Sequence, residues 1–588
     1  MRLDPRADES DIASQALICV GKVRAHVGAF GRNATGPQTL QELNGTLNGI
    51  AALYGARTID DSISLGGRIG RMVDPFWWRR NLRRELLREN ETIERAAGHV
   101  RRKGQCYVSD FGVRHKAQRD KINRRTLENL EVVNETGQAL NLAEVSDKSV
   151  SNPKLRSAEL MTRCRGFEEA AKFMGHDAVF LTITCPSRFH KFSGARDNKK
   201  WHGETTKDAQ AYLSGMWKKI RAAYHRAGFF PYGFRVTEPN HDGCVHWHIL
   251  LFIAPEHKGW FQVDRFVAGR KDHGAGLIGI VGKYALQESP SERGAAKARF
   301  TAINIDPSKG SPTSYITKYI CKNIDGMKSD GDVMGLDFDS GKSTKEASVR
   351  VRTWAQINGI RQFQQIGGPS VTVWRELRRL GDTQVQNDLF EGPRAAADRG
   401  LWALFWVLQG GPEVPRKELT LKPAYMSDSL GKYGDEVKRV WGVTAKTDAG
   451  DVGLQTKLHT WTIQRAGLAD VNFHEAVRID DRAVQAGADA WAVAHGFDSV
   501  SEFREQGEAF SPWTSVNNCT QGDEIDDAEA VKLDAQRGAG IKFQGGEGKP
   551  TFGIYKNEQE HRHRSQIEGF STGNSQQSGS PGSYRGQH

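Results

Sequence analysis

No stretch of the 588-residue chain approaches about eighteen consecutive apolar residues, so the sequence predicts no membrane-spanning helix. The first residues, Met1-Arg-Leu-Asp-Pro-Arg-Ala-Asp, lack an apolar signal region, which argues against secretion. Cysteine is sparse: seven, at 19, 106, 164, 185, 244, 321 and 519, none of them in a C-x-x-C pair. That odd, scattered set excludes a disulfide framework and fits reduced thiols in a cytoplasmic protein. No internal repeat is present. A phosphate loop is also missing, because Gly335-Leu-Asp-Phe-Asp-Ser-Gly341-Lys-Ser-Thr344 has five residues between its glycines where G-x-x-x-x-G-K-[ST] has four. Its acidic interior repels phosphate, and the segment reads as a polar loop.

The residues that are present describe a polar protein, 38% apolar with a mean hydropathy of -0.58. Lys and Arg exceed Asp and Glu by 82 − 71 = 11, which favours a polyanionic partner. The length exceeds one hydrophobic core. The pattern divides into a mainly helical region over 1–150, a mixed α/β region over 151–335, a further folded stretch over 336–505, and a polar tail over 506–588. The tail is rich in Gly, Ser and Gln, lacks the apolar content to pack, and is expected to be disordered.

In the first region, Asp74-Pro75 suits a helix start, with Phe76, Leu82, Leu86 and Leu87 as a buried stripe. Arg79, Arg80, Arg83 and Arg84 crowd one flank with charge, and a second basic run covers Arg114 to Arg125. These arginines suit phosphate contact, with bases stacking on Trp77 or Trp78. The competing reading is a solvated helix face with core tryptophans.

In the second region, Ala178–Thr184 reads as a strand, Ala209–Gly228 as an amphipathic helix, and Tyr232–Glu238 and Cys244–Ile253 as strands joined by a turn at 239–243. His246 and His248 are two apart on the second strand of that hairpin, so both imidazoles project from one side while Trp247 turns into the core. The turn folds Glu238 back beside His246. Two nitrogens and one carboxylate oxygen can share a divalent ion, and the oxygen favours Mg²⁺ or Mn²⁺. A competing set, His241, Cys244, His246 and His248, could bind zinc through nitrogen and sulfur, though His241 and Cys244 lie in or beside the turn. Downstream, Trp354, Phe363, Trp374, Trp402 and Trp406 are core candidates. His561 and His563 flank an arginine in the tail and carry no anchored site.

The run Ser311-Pro-Thr-Ser-Tyr315-Ile-Thr-Lys318-Tyr319-Ile-Cys-Lys322 reads as a helix starting near Ser311. Tyr315 and Tyr319, four apart, share one face, and Lys318 and Lys322 follow each by three. Core packing competes as an explanation of that pair, but Ile316 and Ile320 form the better buried stripe. A phenol titrates near 10 and attacks only a polarised centre with positive charge nearby.

Three runs in this order resemble the motifs of the phage replication gene A proteins, rolling-circle initiators of the HUH endonuclease superfamily: Phe180–His190; Arg235-Val-Thr-Glu238 with His246-Trp-His248; and Tyr315–Asp325 in a two-tyrosine form. The likeness extends to Asp74–Arg80, Gly359–Pro369 and Val373–Leu377, so it spans roughly residues 70–380. It implies an α+β fold, a central antiparallel sheet flanked by helices, with a helical N-terminal region and an additional C-terminal region. It also implies nicking of single-stranded origin DNA, with a 5′-phosphotyrosine link and a free 3′-OH primer. Catalysis would rest on Tyr315, Tyr319, Lys318 and Lys322, and metal binding on Glu238, His246 and His248. A separate host helicase and replication machinery in the bacterial cytoplasm would be the partners. A relaxase or transposase of the same superfamily, or a non-catalytic zinc-stabilised DNA-binding protein, stand as alternatives. Cys244 leaves open displacement of the hard ion by zinc or cadmium.

Overall fold

The computed structural model describes residues 2–466, except 6, 32–36, 61, 263–273, 328–331 and 449. The expected tail over 506–588, the end of the 336–505 stretch, Cys519 and the His561/His563 pair lie outside the described residues.

The fold is α+β, and five strands set its frame: β1 (Asp177–Thr184), β2 (Tyr232–Pro239), β3 (Val245–Ile253), β4 (Phe300–Asn304) and β5 (Phe363–Ile366). They pair antiparallel throughout in the order β4-β1-β3-β2-β5. β2 and β3 are interior strands and almost entirely buried; β3 is apolar over Ile249–Ile253, while β2 buries Arg235, Thr237 and Glu238 as well. Side chains alternate between two cores. Phe180, Phe234, Val236, Leu250 and Phe252 face one, while Val179, Leu181, Ile183, Trp247, Ile249 and Leu251 face the other.

Helices cover both faces. Four of them, α1 (Glu9–Gly31), α2 (Pro37–Leu53), α3 (Leu65–Met72) and α4 (Pro75–Ala96), build a separate N-terminal core around Ile12, Val20, Leu47, Trp77 and Trp78. α5 (Asp110–Glu128) carries the second basic run on an exposed surface. α6 (Pro153–Met174) covers the first sheet face with Leu160 and Phe167, and α7 (Thr206–Arg226) covers the second with Leu213, Trp217 and Ile220. The tyrosine helix α8 (Pro312–Ile324) lies beside α6 on the first face, with Ile316, Ile320 and Ile324 almost wholly buried. α9 (Thr344–Asn358) brings Trp354 to the second face. α10 (Val371–Arg378) returns to the first with Trp374.

Asp74 caps α4 by accepting the Phe76 N–H at 2.8 Å, as the Asp-Pro pair predicts. Leu82 and Leu86 are buried as expected and Leu87 is half-buried, but Phe76 departs from the expected stripe. Phe76 is 59% exposed, while Trp77 and Trp78 take the core, the Trp78 indole N–H donating to the Met72 carbonyl at 2.7 Å. A boundary at 335 does not separate two bodies either. β5 completes the sheet from beyond that point, and Trp402 and Trp406 pack edge-on against Phe167 of α6. The strand Leu130–Asn134 likewise pairs with Trp461–Arg465, drawing the N-terminal third onto the far end of the described chain. Phe363, a core candidate, is only half-buried because it sits on the edge strand. No helix among the described residues is long and apolar enough to cross a membrane.

Ile316 is fully buried in the α8–sheet core. Ile316→Ala is expected to lower folding stability by about 3 kcal/mol, read as a drop in the unfolding midpoint of the full chain.

Candidate active site

The site begins with the β2–β3 hairpin, whose register pairs Glu238 directly with His246. The turn is held by Asp242, which is fully buried and accepts the Cys244 N–H at 3.1 Å and the Lys191 N–H at 3.1 Å. Gly243 takes φ +78°, and a side chain there would meet the Tyr107 carbonyl, so glycine suits the position twice over. Burial alone would discharge His190, but Cys244 and the Asp242 carboxylate beside it raise its affinity for a proton; Asp242 in turn is held low by His190.

Glu238, His246 and His248 present ligand atoms within 4.8 Å of one another. The two Nε2 atoms face each other at 2.9 Å, and His248 Nε2 lies 3.9 Å from Glu238 Oε2. On the far side of its ring, His248 Nδ1 meets the Thr182 hydroxyl at 3.0 Å. With a proton on Nδ1, that contact fixes the tautomer that turns a lone pair into the cluster. Burial pushes His246 down to about 3, helped by Lys322, and holds His248 well below the ordinary imidazole value, helped by His246 and Lys322. Both rings are therefore neutral donors at pH 7. Nitrogen and oxygen donors that converge without protons of their own fit a divalent cation.

The competing zinc set does not assemble. Cys244 is buried on the opposite core, where its thiol meets Cys185 and His190, and it shares no ligand cluster with His246 and His248 among the described residues. The physical reason is that Cys244 precedes the first paired residue of β3, so the alternation that aligns 246 with 248 does not extend to it.

Ser311 caps α8, accepting the Ser314 N–H at 3.2 Å, so the helix starts where the Ser-Pro-Thr run suggests. With Ile316 and Ile320 buried, Tyr315 and Tyr319 lie half-buried on the flank facing the hairpin. The Tyr319 ring sits 3.9 Å, centroid to centroid, from the His248 imidazole and stacks on Phe180 at 5.3 Å. Tyr315 lies one turn earlier and contacts Phe180 at 6.2 Å. Burial raises the Tyr319 phenol, as does the Glu238 carboxylate, while Lys322 opposes both.

The two lysines part company. Lys318 is exposed. Lys322 is enclosed, its Nζ 3.4 Å from Glu238 Oε2 and 3.1 Å from Asp337 Oδ1, over the Tyr107 ring at 4.9 Å. Burial would discharge it, but Glu238 and Asp337 outweigh that and hold the ammonium charged. Two residues here went unassigned from sequence. Asp337 comes from the loop read as merely polar, and the fully buried Tyr107, at φ +73°, donates its hydroxyl to Asp337 at 2.6 Å. Asn323 is a third: its amide donates to Glu238 and its carbonyl accepts from Gln362 at 2.8 Å. Only Asn323 carried a local signal, four residues after Tyr319 on the same helix.

The N-terminal basic cluster lies elsewhere. Trp77 and Trp78 are buried, so neither offers a ring to a base, and the core-tryptophan reading replaces the stacking one. Arg83 grips Glu9 through both carboxylate oxygens, Arg79 lies 3.9 Å from the same group, and Arg84 bonds Asn81. Arg80 is exposed and reaches the Tyr433 hydroxyl at 3.3 Å. All four arginines thus have a partner within the fold, Arg79 the most distant one.

Residues 55–327 match the family described as bacteriophage replication gene A protein. Over those residues the chain is similar to the replication gene A proteins. It is 36% identical over 462 residues to the replication gene A protein of Escherichia phage 186, covering 78% of this chain and 60% of that one. It is also 37% identical over 409 residues to a probable replication protein of Pseudoalteromonas phage PM2, covering 68% and 60% of the two chains. A probable replication endonuclease from a prophage-like region of Shigella boydii is 33% identical over 482 residues, covering 79% and 54%. The chain thus spans little more than half the length of the curated relatives it matches. No solved structure matches it. All three elements of the candidate site, β2, β3 and α8, fall inside the matched domain.

Both cluster imidazoles titrate below the 6.5 of a free histidine. Below that value the unfolded chain takes up protons that the folded one refuses, so these two rings make stability fall as pH drops. His190, raised instead, contributes with the opposite sign. His246→Gln is therefore expected to show a shallower loss of melting temperature between pH 7 and pH 5 than the parent chain, in thermal melts without added metal.

Proposed function

We propose that this protein is a metal-dependent, strand-specific DNA endonuclease and transesterase that starts rolling-circle replication. The observation that carries the reading is the Tyr319 ring lying 3.9 Å from His248, inside a convergent Glu238, His246 and His248 donor set. A nucleophile touching a metal ligand is the arrangement needed for attack on a phosphate whose charge must be offset. The printed names of the relatives, replication protein and replication endonuclease, favour replication over conjugative transfer or transposition.

Glu238, His246 and His248 would hold Mg²⁺ or Mn²⁺, which supplies polarisation of a non-bridging phosphate oxygen. The chain's own residues do the rest. A tyrosine hydroxyl attacks phosphorus and forms the O–P bond, and the phenol proton departs. The P–O3′ bond breaks, its electron pair goes to O3′, and that oxygen takes up a proton to become the 3′-OH primer. One phosphodiester is exchanged for another, so rejoining is the same step in reverse and no nucleotide is consumed. Lys322, fixed between Glu238 and Asp337, faces the site with a permanent positive charge, while exposed Lys318 is free to meet a backbone phosphate. Asn323 and Thr182 hold Glu238 and His248 in place. With two tyrosines on one face, a second cleavage can proceed while the first remains occupied. Unwinding falls to a separate host helicase, and the work takes place in the bacterial cytoplasm.

The test is to incubate the full chain and Mn²⁺ with tiled, labelled single strands of the replicon that encodes it. A covalent adduct is expected, with mass spectrometry placing the DNA on Tyr319 or Tyr315. Adduct formation by the Tyr315→Phe/Tyr319→Phe double variant would overturn the assignment. Millimolar Mn²⁺ is separately expected to raise the melting temperature of the parent chain but not of Glu238→Gln or His248→Ala.

A further inference from the structure

Residues 335–341 form a turn whose anchor and tip have opposite characters. The anchor, Asp337, is 4% exposed and bonds the Lys322 ammonium, the Tyr107 hydroxyl and both donors of Ser340. Its backbone is equally tied, the Asp337 N–H donating to Lys342 O and the Gly341 N–H to Asp337 O, each at 2.8 Å. On either side of this fixed carboxylate, Leu336 is 78% and Phe338 85% exposed, the two most exposed large apolar side chains among the described residues. A turn so firmly tied has no need to expose them for its own stability.

The two acidic neighbours of the exposed ring are both engaged, Asp337 by Lys322 and Asp339 by Arg102, and the contact recorded over the ring itself is with a cation. The Arg102 guanidinium lies 5.2 Å from the centre of the Phe338 ring and pairs with Asp339. Arg101, Arg102 and Lys103 form an exposed run that leads directly to Tyr107, which is bound to Asp337. Two segments more than two hundred residues apart in sequence are therefore locked together by a buried hydroxyl–carboxylate bond and a surface ion pair. They present one aromatic face backed by Arg102, whose sequence neighbours Arg101 and Lys103 are also exposed. Charge that tracks a phosphate backbone, interleaved with an aromatic face, is how proteins hold single-stranded nucleic acid without reading its sequence. Arg102 can serve both functions, backing the ring and meeting a phosphate.

We propose that Phe338, with Leu336 beside it and Arg102 behind it, is a stacking platform for an unpaired DNA base of the strand entering the tyrosine site. The platform shares its anchor with the catalytic cluster, because Asp337 bonds Lys322 and Lys322 bonds Glu238. A base stacked on Phe338 is thereby held at a set position relative to the phosphate under attack. The choice of a DNA strand as occupant rests on the nuclease reading above; the stacking itself does not.

The experiment measures binding of fluorescein-labelled dT20 and of an abasic strand of the same length by anisotropy, without metal. Phe338→Ala is expected to weaken dT20 binding about 10-fold. Phe338→Trp should restore it, and Phe338→Leu, apolar but without a π face, should not. On the abasic strand all four proteins should bind alike and weakly. Equal dT20 binding by Phe338→Ala and the parent chain would overturn the proposal and assign the exposed ring to a protein partner. An equal loss on the abasic strand would overturn it as well, since no base would then be involved. If the parent chain forms no adduct with Mn²⁺ yet Phe338→Ala loses base-dependent binding, the nicking reading fails and the platform stands.

Discussion

A single enclosed ammonium, that of Lys322, is the constraint on which the site depends. It lies between the carboxylates of Glu238 and Asp337, both nearly inaccessible to water. Charges taken out of water are tolerated only when paired and hydrogen-bonded, and removing one partner strands the other at a cost of several kcal/mol. Here the pairing is shared. Glu238 also accepts from Asn323, and Asp337 accepts from Tyr107 and Ser340, so each carboxylate has a partner besides Lys322. Burial raises the Glu238 carboxyl above its ordinary value while Lys322 and Asn323 oppose that; when both carboxylates and the ammonium are ionised, the group carries one surplus negative charge beside two neutral imidazoles. That balance favours a cation at the donor set and disfavours a substrate anion until the cation is there.

The same ammonium gathers four separate pieces of chain. α8 supplies Lys322 and the tyrosines, β2 supplies Glu238, the turn at 335–341 supplies Asp337, and the segment after α4 supplies Tyr107. Tyr107 adopts a left-handed backbone conformation uncommon for a bulky residue, a strain of about 1–3 kcal/mol that the surrounding contacts must offset. Its N–H donates to the His241 carbonyl in the hairpin turn and its hydroxyl to Asp337, so the strained residue clamps the β2–β3 hairpin to the exposed aromatic turn. Rigidity at the cluster and the fixed position of Phe338 follow from the same bonds.

Legibility in the sequence tracked the range of the interaction. Features set by neighbours along one element were readable: the period-two projection of His246 and His248, the four-residue spacing of the tyrosines over an isoleucine stripe, the serine cap of α8, and the Asp-Pro start of α4. The Glu238–His246 pairing was also readable, because a short turn fixes the register of a hairpin. Long-range partners were not. Nothing local marks Tyr107 as the mate of Asp337, two hundred and thirty residues away. The acidic loop looked inert because its carboxylate works only against a lysine supplied by another element. Where two faces of one helix were both plausible interiors, pattern alone chose poorly. Phe76 went outward and the two tryptophans inward, since the larger indoles bury more apolar area and Trp78 also satisfies its N–H.

The two tyrosines are not equivalent, and the asymmetry follows from the helix. Four residues correspond to about 6 Å of rise along the axis. One phenol therefore stands over His248, while the other lies a turn away against Phe180. The helix cannot slide to exchange them, because Ile316, Ile320 and Ile324 are locked into the sheet core and Lys322 is held by two carboxylates. If both phenols serve one scissile position, what moves must be the side chains or the strand of DNA. Phe180 touches both rings and presents an apolar face across which a phenol can swing without leaving a hydrogen bond unmet. With the helix fixed, alternation would need side-chain rotation alone, whereas a sliding helix would break the ion pairs of Lys322 that hold Glu238.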